Sequence, residues 1–148
     1  MTERIPVTSD GGPLRRMRSG DTLPSWLVPS SGSLLVTKAA HGFVAGQPVR
    51  GSGVSSWALA QATADLSQIA THFVVAVVDA NTFRVSNAGF WAIPGLTVYG
   101  PLLLGATAGG VVSSVSALPS NVAIQPLGIA DATGLHINIT SYVRDVTP

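Results

Sequence analysis

Three histidines and a few carboxylates are the residues of this sequence that could do acid–base or metal chemistry. His41, His72 and His136 stand far apart, and none has a second histidine four positions away or a glutamate beside it, so they match no zinc-ligand spacing. The stretch HGFVAGQPVR, which begins at His41, carries glycine and proline at positions typical of turns between strands. We therefore interpret His41 as a turn residue, with a catalytic general base as the alternative.

Turn formation also accounts for the carboxylates that could do chemistry. Asp79 and Asp131 each fall in a predicted hairpin turn, where an aspartate side chain accepts hydrogen bonds from nearby backbone N–H groups. A glycosidase would need two such groups about 5–10 Å apart, but turn formation accounts for both residues. The sequence has no cysteine, no Gly-x-Ser-x-Gly nucleophile motif and no phosphate-binding loop with lysine. It predicts a protein that is not an enzyme and that holds no cofactor or metal.

Charge is scarce and unevenly distributed over the 148 residues. Charged residues make up 10% of the chain, against about 25% in typical soluble domains. None occurs from Val85 to Ala130, and the net charge of +1 provides no broad field to attract nucleic acid. The mean hydropathy is +0.41, yet no apolar run approaches the roughly 20 residues of a membrane-spanning helix. We expect residues 85–130 to supply apolar surface that is buried against other copies of the chain.

The sequence predicts two regions: an extended attachment arm over residues 1–32 and a β-domain over residues 33–148. Glycine and proline punctuate the arm too often for a long helix or strand. The arm also carries a basic cluster and an apolar patch between two prolines, which we interpret as contacts to a protein partner: Arg15, Arg16, Arg18, Trp26, Leu27 and Val28. The alternatives are phosphate binding by the arginines and docking of the apolar patch on the chain's own β-domain.

Short alternating segments separated by turn residues predict about nine short strands, in a small β-barrel or a β-sandwich. The clearest signal is a hairpin over residues 73–86, in which Phe83 and Val85 should face one side and Arg84 and Ser86 the other. Residues 125–138 align on this hairpin without a gap. Identical residues are few in that alignment, so two similar hairpins are predicted without a claim of common descent.

The order of several motifs resembles a β-rich module of structural proteins from tailed bacteriophages. The motifs are HGFVAGQPVR, WALAQA, FVVAVVDANTFRVSNAG, GLTVYGPLLL and PLGIADATGLHINI. The resemblance implies a virion component, usually a homotrimer, whose N-terminal arm binds a capsid, tail or collar protein. Typical fibres continue into a long shaft, whereas this sequence ends soon after the last predicted strand. A decoration protein, fibre base or adaptor is therefore expected at the particle surface, with no nucleic-acid or membrane partner.

Two rival functions remain open from the sequence. The first is a receptor- or glycan-binding module of a phage appendage, with an aromatic stacking platform formed by Trp57, Trp91, Tyr99 or Tyr142. The second is a small hydrolase that uses His41 as its base.

Overall fold

The computed structural model describes residues 32–51 and 56–139, together with the backbone of residues 144–145. The basic cluster and apolar patch of the predicted arm lie outside the described residues, as does Tyr142.

The β-domain is all-β, as predicted, and its strands form two five-stranded antiparallel sheets and one two-stranded ribbon. The large sheets do not close into a barrel, so the architecture is sandwich-like. The strands in the described part of the chain are β1 (Leu34–Thr37), β2 (Pro48–Gly51), β3 (Trp57–Leu59), β4 (His72–Asp79), β5 (Thr82–Ser86), β6 (Ala88–Trp91), β7 (Gly100–Leu104), β8 (Val111–Val112), β9 (Ala123–Ile124), β10 (Pro126–Asp131), β11 (Gly134–Asn138) and β12 (Arg144–Asp145). Beyond the nine predicted strands, β6, β9 and β12 are additional and short.

The two large sheets repeat one topology. The first has the strand order β1-β5-β4-β2-β3, and the second has the order β6-β11-β10-β7-β8. If β9 is set aside and the strands of each half are numbered from its own start, both orders become 1-5-4-2-3. The chain therefore folds the same five-stranded arrangement twice in succession, and the two similar hairpins of the sequence occupy equivalent places in it.

The equivalent hairpins, β4–β5 and β10–β11, use the same turn chemistry. The Oδ1 atom of Asp79 accepts a hydrogen bond from the backbone N–H of Asn81 at 2.7 Å. The Oδ1 atom of Asp131 accepts one from the backbone N–H of Thr133, also at 2.7 Å. The prediction that both aspartates form turns is thus confirmed.

The apolar side chains form two core clusters. The larger cluster contains side chains of both sheets: Ala60, Ala62, Ala70, Phe73, Val75, Ile93, Leu102, Leu104, Val122, Leu127, Ala130, Leu135 and Ile137. The smaller cluster belongs to the first sheet and the loop between β1 and β2: Val36, Phe43, Val49, Trp57, Val74, Phe83 and Val85. The predicted inward faces of both hairpins are confirmed, since Phe83, Val85, Leu135 and Ile137 are all buried.

One residue of the predicted outward face is buried instead. Arg84 is exposed as expected, but Ser86 is 3% exposed. The reason is that β5 continues into β6 after a single bend residue, so Ser86 lies where the chain passes from the first sheet to the second. Its hydroxyl is satisfied there, because Oγ donates to the carbonyl of Ala88 at 2.9 Å.

A buried glutamine links the two halves of the β-domain. Gln125, in the second half, is fully buried, and its Oε1 atom accepts from the backbone N–H of Ala70 in the first half at 2.8 Å. Its Nε2 atom donates to the carbonyl of the same alanine, also at 2.8 Å. The side-chain amide of Gln125 thus bonds to both the N–H and the carbonyl of Ala70, which strand pairing leaves without a partner.

Candidate functional site

His41 lies in the loop between β1 and β2 and is buried. Its Nδ1 atom accepts a hydrogen bond from the backbone N–H of Phe43 at 2.9 Å, which leaves the ring proton on Nε2. Nε2 then donates to the carbonyl of Asp79 at 2.8 Å. The imidazole also packs against the ring of Phe83, with centroids 4.7 Å apart. Both ring nitrogens therefore hold backbone groups of the turn, as the turn interpretation requires.

The described carboxylates are likewise occupied by local structure. Asp65 caps the short 3₁₀ turn Leu66–Gln68, and hydrogen bonds from the backbone and hydroxyl of Ser67 lower the pKa of its carboxyl group. Hydrogen bonds from Thr133 lower the pKa of Asp131 in the same way. Within residues 32–51 and 56–139, no group of three or more histidine, aspartate or glutamate side chains is arranged to hold a metal ion.

The outer face of the second sheet carries an unusual row of side chains. Phe90 on β6 lies opposite His136 on β11, His136 lies opposite Ile129 on β10, and Ile129 lies opposite Pro101 on β7. Directly opposed residues share a face, so the four side chains form a continuous line across the sheet. We call this line the exposed row. Phe90 is 47% exposed and Ile129 is 55% exposed, although both are large and apolar.

The only titratable side chain of the exposed row is His136. The ring of Phe90 lies against the imidazole, with centroids 4.6 Å apart, and the carboxylate of Asp131 lies 3.8 Å from its Nε2 atom. Beside the row is a shallow depression of about 410 Å³, lined by Pro126, Gly128, Ile129, His136, Ile137 and Asn138. The arrangement is an apolar surface with a small polar rim, and it is suited to packing against another apolar surface.

A second candidate site is a cavity of about 420 Å³ in the first half of the β-domain. Residues of β2, β3 and the 3₁₀ turn contribute to its wall: Arg50, Gly51, Ser56, Trp57, Ala58, Leu66, Ser67, Ile69 and Thr71. The Nη1 atom of Arg50 donates to the carbonyl of Ser67 at 3.4 Å. Two buried donors, Nε of Arg50 and Nε1 of Trp57, meet no acceptor in the structure as described.

The structure does not bring the predicted aromatic platform residues to one surface. Trp57 is 5% exposed, belongs to the smaller core cluster and forms part of the cavity wall. Trp91 is partly buried against the larger cluster and donates from Nε1 to the carbonyl of Ala88 at 3.1 Å. Tyr99 is 54% exposed just before β7. The three described aromatic residues thus lie in separate parts of the fold.

Sequence reasoning did not single out Arg50 or the exposed row. The row had a detectable signal, because Phe90 and Ile129 interrupt the alternation expected of strands with a polar outer face. Arg50 had none, since its role depends on which residues surround it after folding.

His72 gives a pH dependence that can be measured. It packs edge-on against Trp57, and burial lowers its pKa below the ordinary histidine value. The unfolded chain therefore binds more protons than the native protein as pH falls through the unfolded pKa, near 6.5. We expect the neutral imidazole of His72 to contribute fully to the free energy of unfolding above about pH 7. This contribution should be lost as the pH falls towards 5. Denaturant unfolding at several pH values measures this loss.

The matched variants are His72→Gln and His136→Gln. The first should flatten the dependence of the free energy of unfolding on pH between about 7 and 5, and the second, at an exposed site, should leave most of it in place. An unchanged dependence of the free energy of unfolding on pH in the His72→Gln protein would contradict the assignment of this dependence to His72.

No family model matches the chain, and neither a curated protein nor a solved structure matches it. Among the described residues, no helix is long and apolar enough to cross a membrane.

Proposed function

We propose that this protein is a non-enzymatic structural component of a tailed phage particle, and that its β-domain associates with copies of itself through the exposed row. The observation that carries the proposal is the position of Phe90, Pro101 and Ile129. All three lie in the charge-free segment 85–130, and all three are exposed on one face of the second sheet. The motif resemblance supports the phage context, and the predicted arm supplies the contact to another virion protein.

Leaving the apolar side chains of this row in water costs free energy. Fully burying an exposed large apolar side chain is worth about 1.5–3 kcal/mol, and Phe90 and Ile129, each about half exposed, can still gain roughly half of that per copy. In a closed symmetric oligomer every copy contributes the same patch, so this gain is repeated at each contact. The polar side chains of Asp131 and Asn138 beside the row, and of His136 within it, would set the orientation of the contact.

Oligomeric state tests the role of the exposed row. For the full chain we expect light scattering after gel filtration to give the mass of a trimer. Ile129→Asp should raise the dissociation constant at least about a hundredfold, because it places a charge in the centre of a desolvated contact. Val78→Asp is the matched control, since Val78 is 57% exposed on a strand of the first sheet, close to the 55% of Ile129.

Two results would contradict self-association through this face. One is a protomer mass for the unmodified protein at high concentration. The other is equal dissociation of the Ile129→Asp and Val78→Asp proteins.

The phage context has its own test. Quantitative gel analysis of purified particles should find the protein in a fixed copy number, with hundreds of copies for a decoration protein and about a dozen for an appendage. Absence of the chain from purified particles would overturn the virion assignment and leave the oligomer result unaffected.

A further inference from the structure

A ring of three copies requires a counterpart for the exposed row on a different surface of the chain. A contact that uses the same patch on both partners has a two-fold axis, so it joins two copies and no more. A closed ring of three is built instead from one contact, in which a patch of each copy meets a different patch of the next. The trimer proposed above therefore needs a second apolar patch outside the exposed row.

A shallow depression in the first half of the β-domain has the composition of such a patch. It has a volume of about 400 Å³ and lies between the β1–β2 loop and the end of β4. Its floor is formed by the rings of His41 and Phe43, which are each 8% exposed. Its rim includes the exposed residues Val77, Asp79 and Ala80. We call this surface the loop depression.

The loop depression is suited to an aromatic side chain. A closed apolar cavity of about 150 Å³ already holds a benzene molecule, so the larger depression has room for a phenyl ring. The rings of His41 and Phe43 pack with centroids 5.4 Å apart, and a third ring beside them would gain further tilted or edge-on contacts. Phe90 of the exposed row is an aromatic side chain that is only half-buried within its own copy.

The polar groups beside the two patches are complementary. In the exposed row, Phe90 lies against His136, whose Nε2 atom is 3.8 Å from Asp131, too far for a hydrogen bond. At the loop depression, the carbonyl of Asp79 accepts from the floor residue His41, which holds Asp79 at the rim. The Asp79 carboxylate is exposed, and beyond the bond that holds its own turn it can accept more. A phenyl ring in the depression would therefore bring an imidazole donor to a carboxylate acceptor.

We propose that the exposed row of one copy docks into the loop depression of the next copy, head to tail, and that three such contacts close the ring. Phe90 enters the depression, Ile129 packs on Val77, and His136 donates a hydrogen bond to Asp79. This inference rests on the self-association proposed above and adds the surface of the second copy that the exposed row contacts.

The first experiment places a charge in the loop depression. Val77→Asp should raise the dissociation constant of the contact at least about a hundredfold, as Ile129→Asp should on the other side. Val78→Asp is again the control, because Val78 is the next residue of the same strand and does not line the depression. Denaturant unfolding of each variant verifies that it is folded before its mass is measured by light scattering.

The second experiment mixes the two dissociated variants. The Val77→Asp copy keeps an intact exposed row, and the Ile129→Asp copy keeps an intact loop depression. An equimolar mixture should therefore give the mass of two copies, although each variant alone gives the mass of one. The ring cannot close, because the second contact of the pair carries both charges.

The third experiment uses the absence of cysteine from the sequence. Val77→Cys and Ile129→Cys proteins are mixed, allowed to exchange subunits and oxidised under mild conditions. A disulfide should form between one copy of each variant, and neither variant alone should become cross-linked.

Three results would overturn the head-to-tail contact. The first is a trimer mass for Val77→Asp, which would leave the exposed row as the association face with a different counterpart. The second is a disulfide between two Ile129→Cys copies, which would show that the row meets itself. The third is a mixture that forms neither the pair nor the cross-link. A protomer mass for the unmodified protein is a separate outcome, because it contradicts self-association itself.

Discussion

Replacing Gln125 by leucine is expected to lower the free energy of unfolding by about 4 kcal/mol. The substitution keeps the approximate volume of the side chain and removes its two hydrogen bonds to Ala70. Ala70 is 3% exposed, so its N–H and carbonyl would be left buried without these partners. Each such group costs about 1–3 kcal/mol, which gives about 2–6 kcal/mol for the pair. Denaturant unfolding followed by fluorescence measures the change.

Gln68→Leu is the matched control for this prediction. Gln68 is partly buried, and among the described residues its side-chain amide donates to Asp65 and Ser67 at the start of its own 3₁₀ turn, at 3.4 and 3.5 Å. The same chemical change there should cost less than about 0.5 kcal/mol, as surface substitutions usually do. Equal losses at the two positions would show that Gln125 does not stabilise the contact between the halves.

Gln125→Glu tests the same contact through pH. A buried carboxyl group can accept from the N–H of Ala70 and, when protonated, donate to its carbonyl. Burial raises the pKa of such a group above its unfolded value, near 4.3. The stability of this variant should therefore be highest below about pH 4 and should fall as pH rises towards 7. A flat difference between this variant and the unmodified protein would contradict the buried geometry.

Local sequence signals made part of the repeated fold predictable from sequence. Asp79 and Asp131 bond to backbone groups two residues ahead, and such turns depend on local sequence alone. The inward positions Phe83 and Leu135 follow from strand alternation, which is also local. These signals defined both hairpins. The remaining strands of the repeat are too short to show similarity, so the full duplication became visible only in the strand order.

The residues that sequence reasoning missed depend on long-range contacts. Nothing near Gln125 in the chain indicates that its amide meets Ala70 in the other half. Ser86 follows the polar side of its strand by alternation, but the passage from β5 to β6 buries it. Arg50 contributes to a cavity wall only because Trp57 and the 3₁₀ turn fold next to it. In each case burial of a polar group was decided by partners distant in sequence.

Gly128→Ala is expected to be strongly destabilising, by at least about 3 kcal/mol. Gly128 lies in β10 between β11 and β7, beside a register shift that separates it from Pro126. Its φ is +146°, and a Cβ atom placed on it would lie 2.0 Å from the carbonyl oxygen of His136. A backbone oxygen cannot move aside as a flexible side chain can, so β10 and β11 would have to separate and lose their pairing.

Gly95→Ala is the matched control, because Gly95 also has a positive φ, +78°, but nothing lies within 4 Å of its added Cβ. There only the backbone preference is lost, at about 1 kcal/mol. Gly128 directly precedes Ile129, and it pairs with β11, the strand that carries His136. Gly128→Ala should therefore also weaken self-association in the light-scattering experiment. Similar free energies of unfolding for the two alanine variants would mean that the close approach of β10 to β11 is not needed for stability. The exposed row would then not depend on a rigid sheet beneath it.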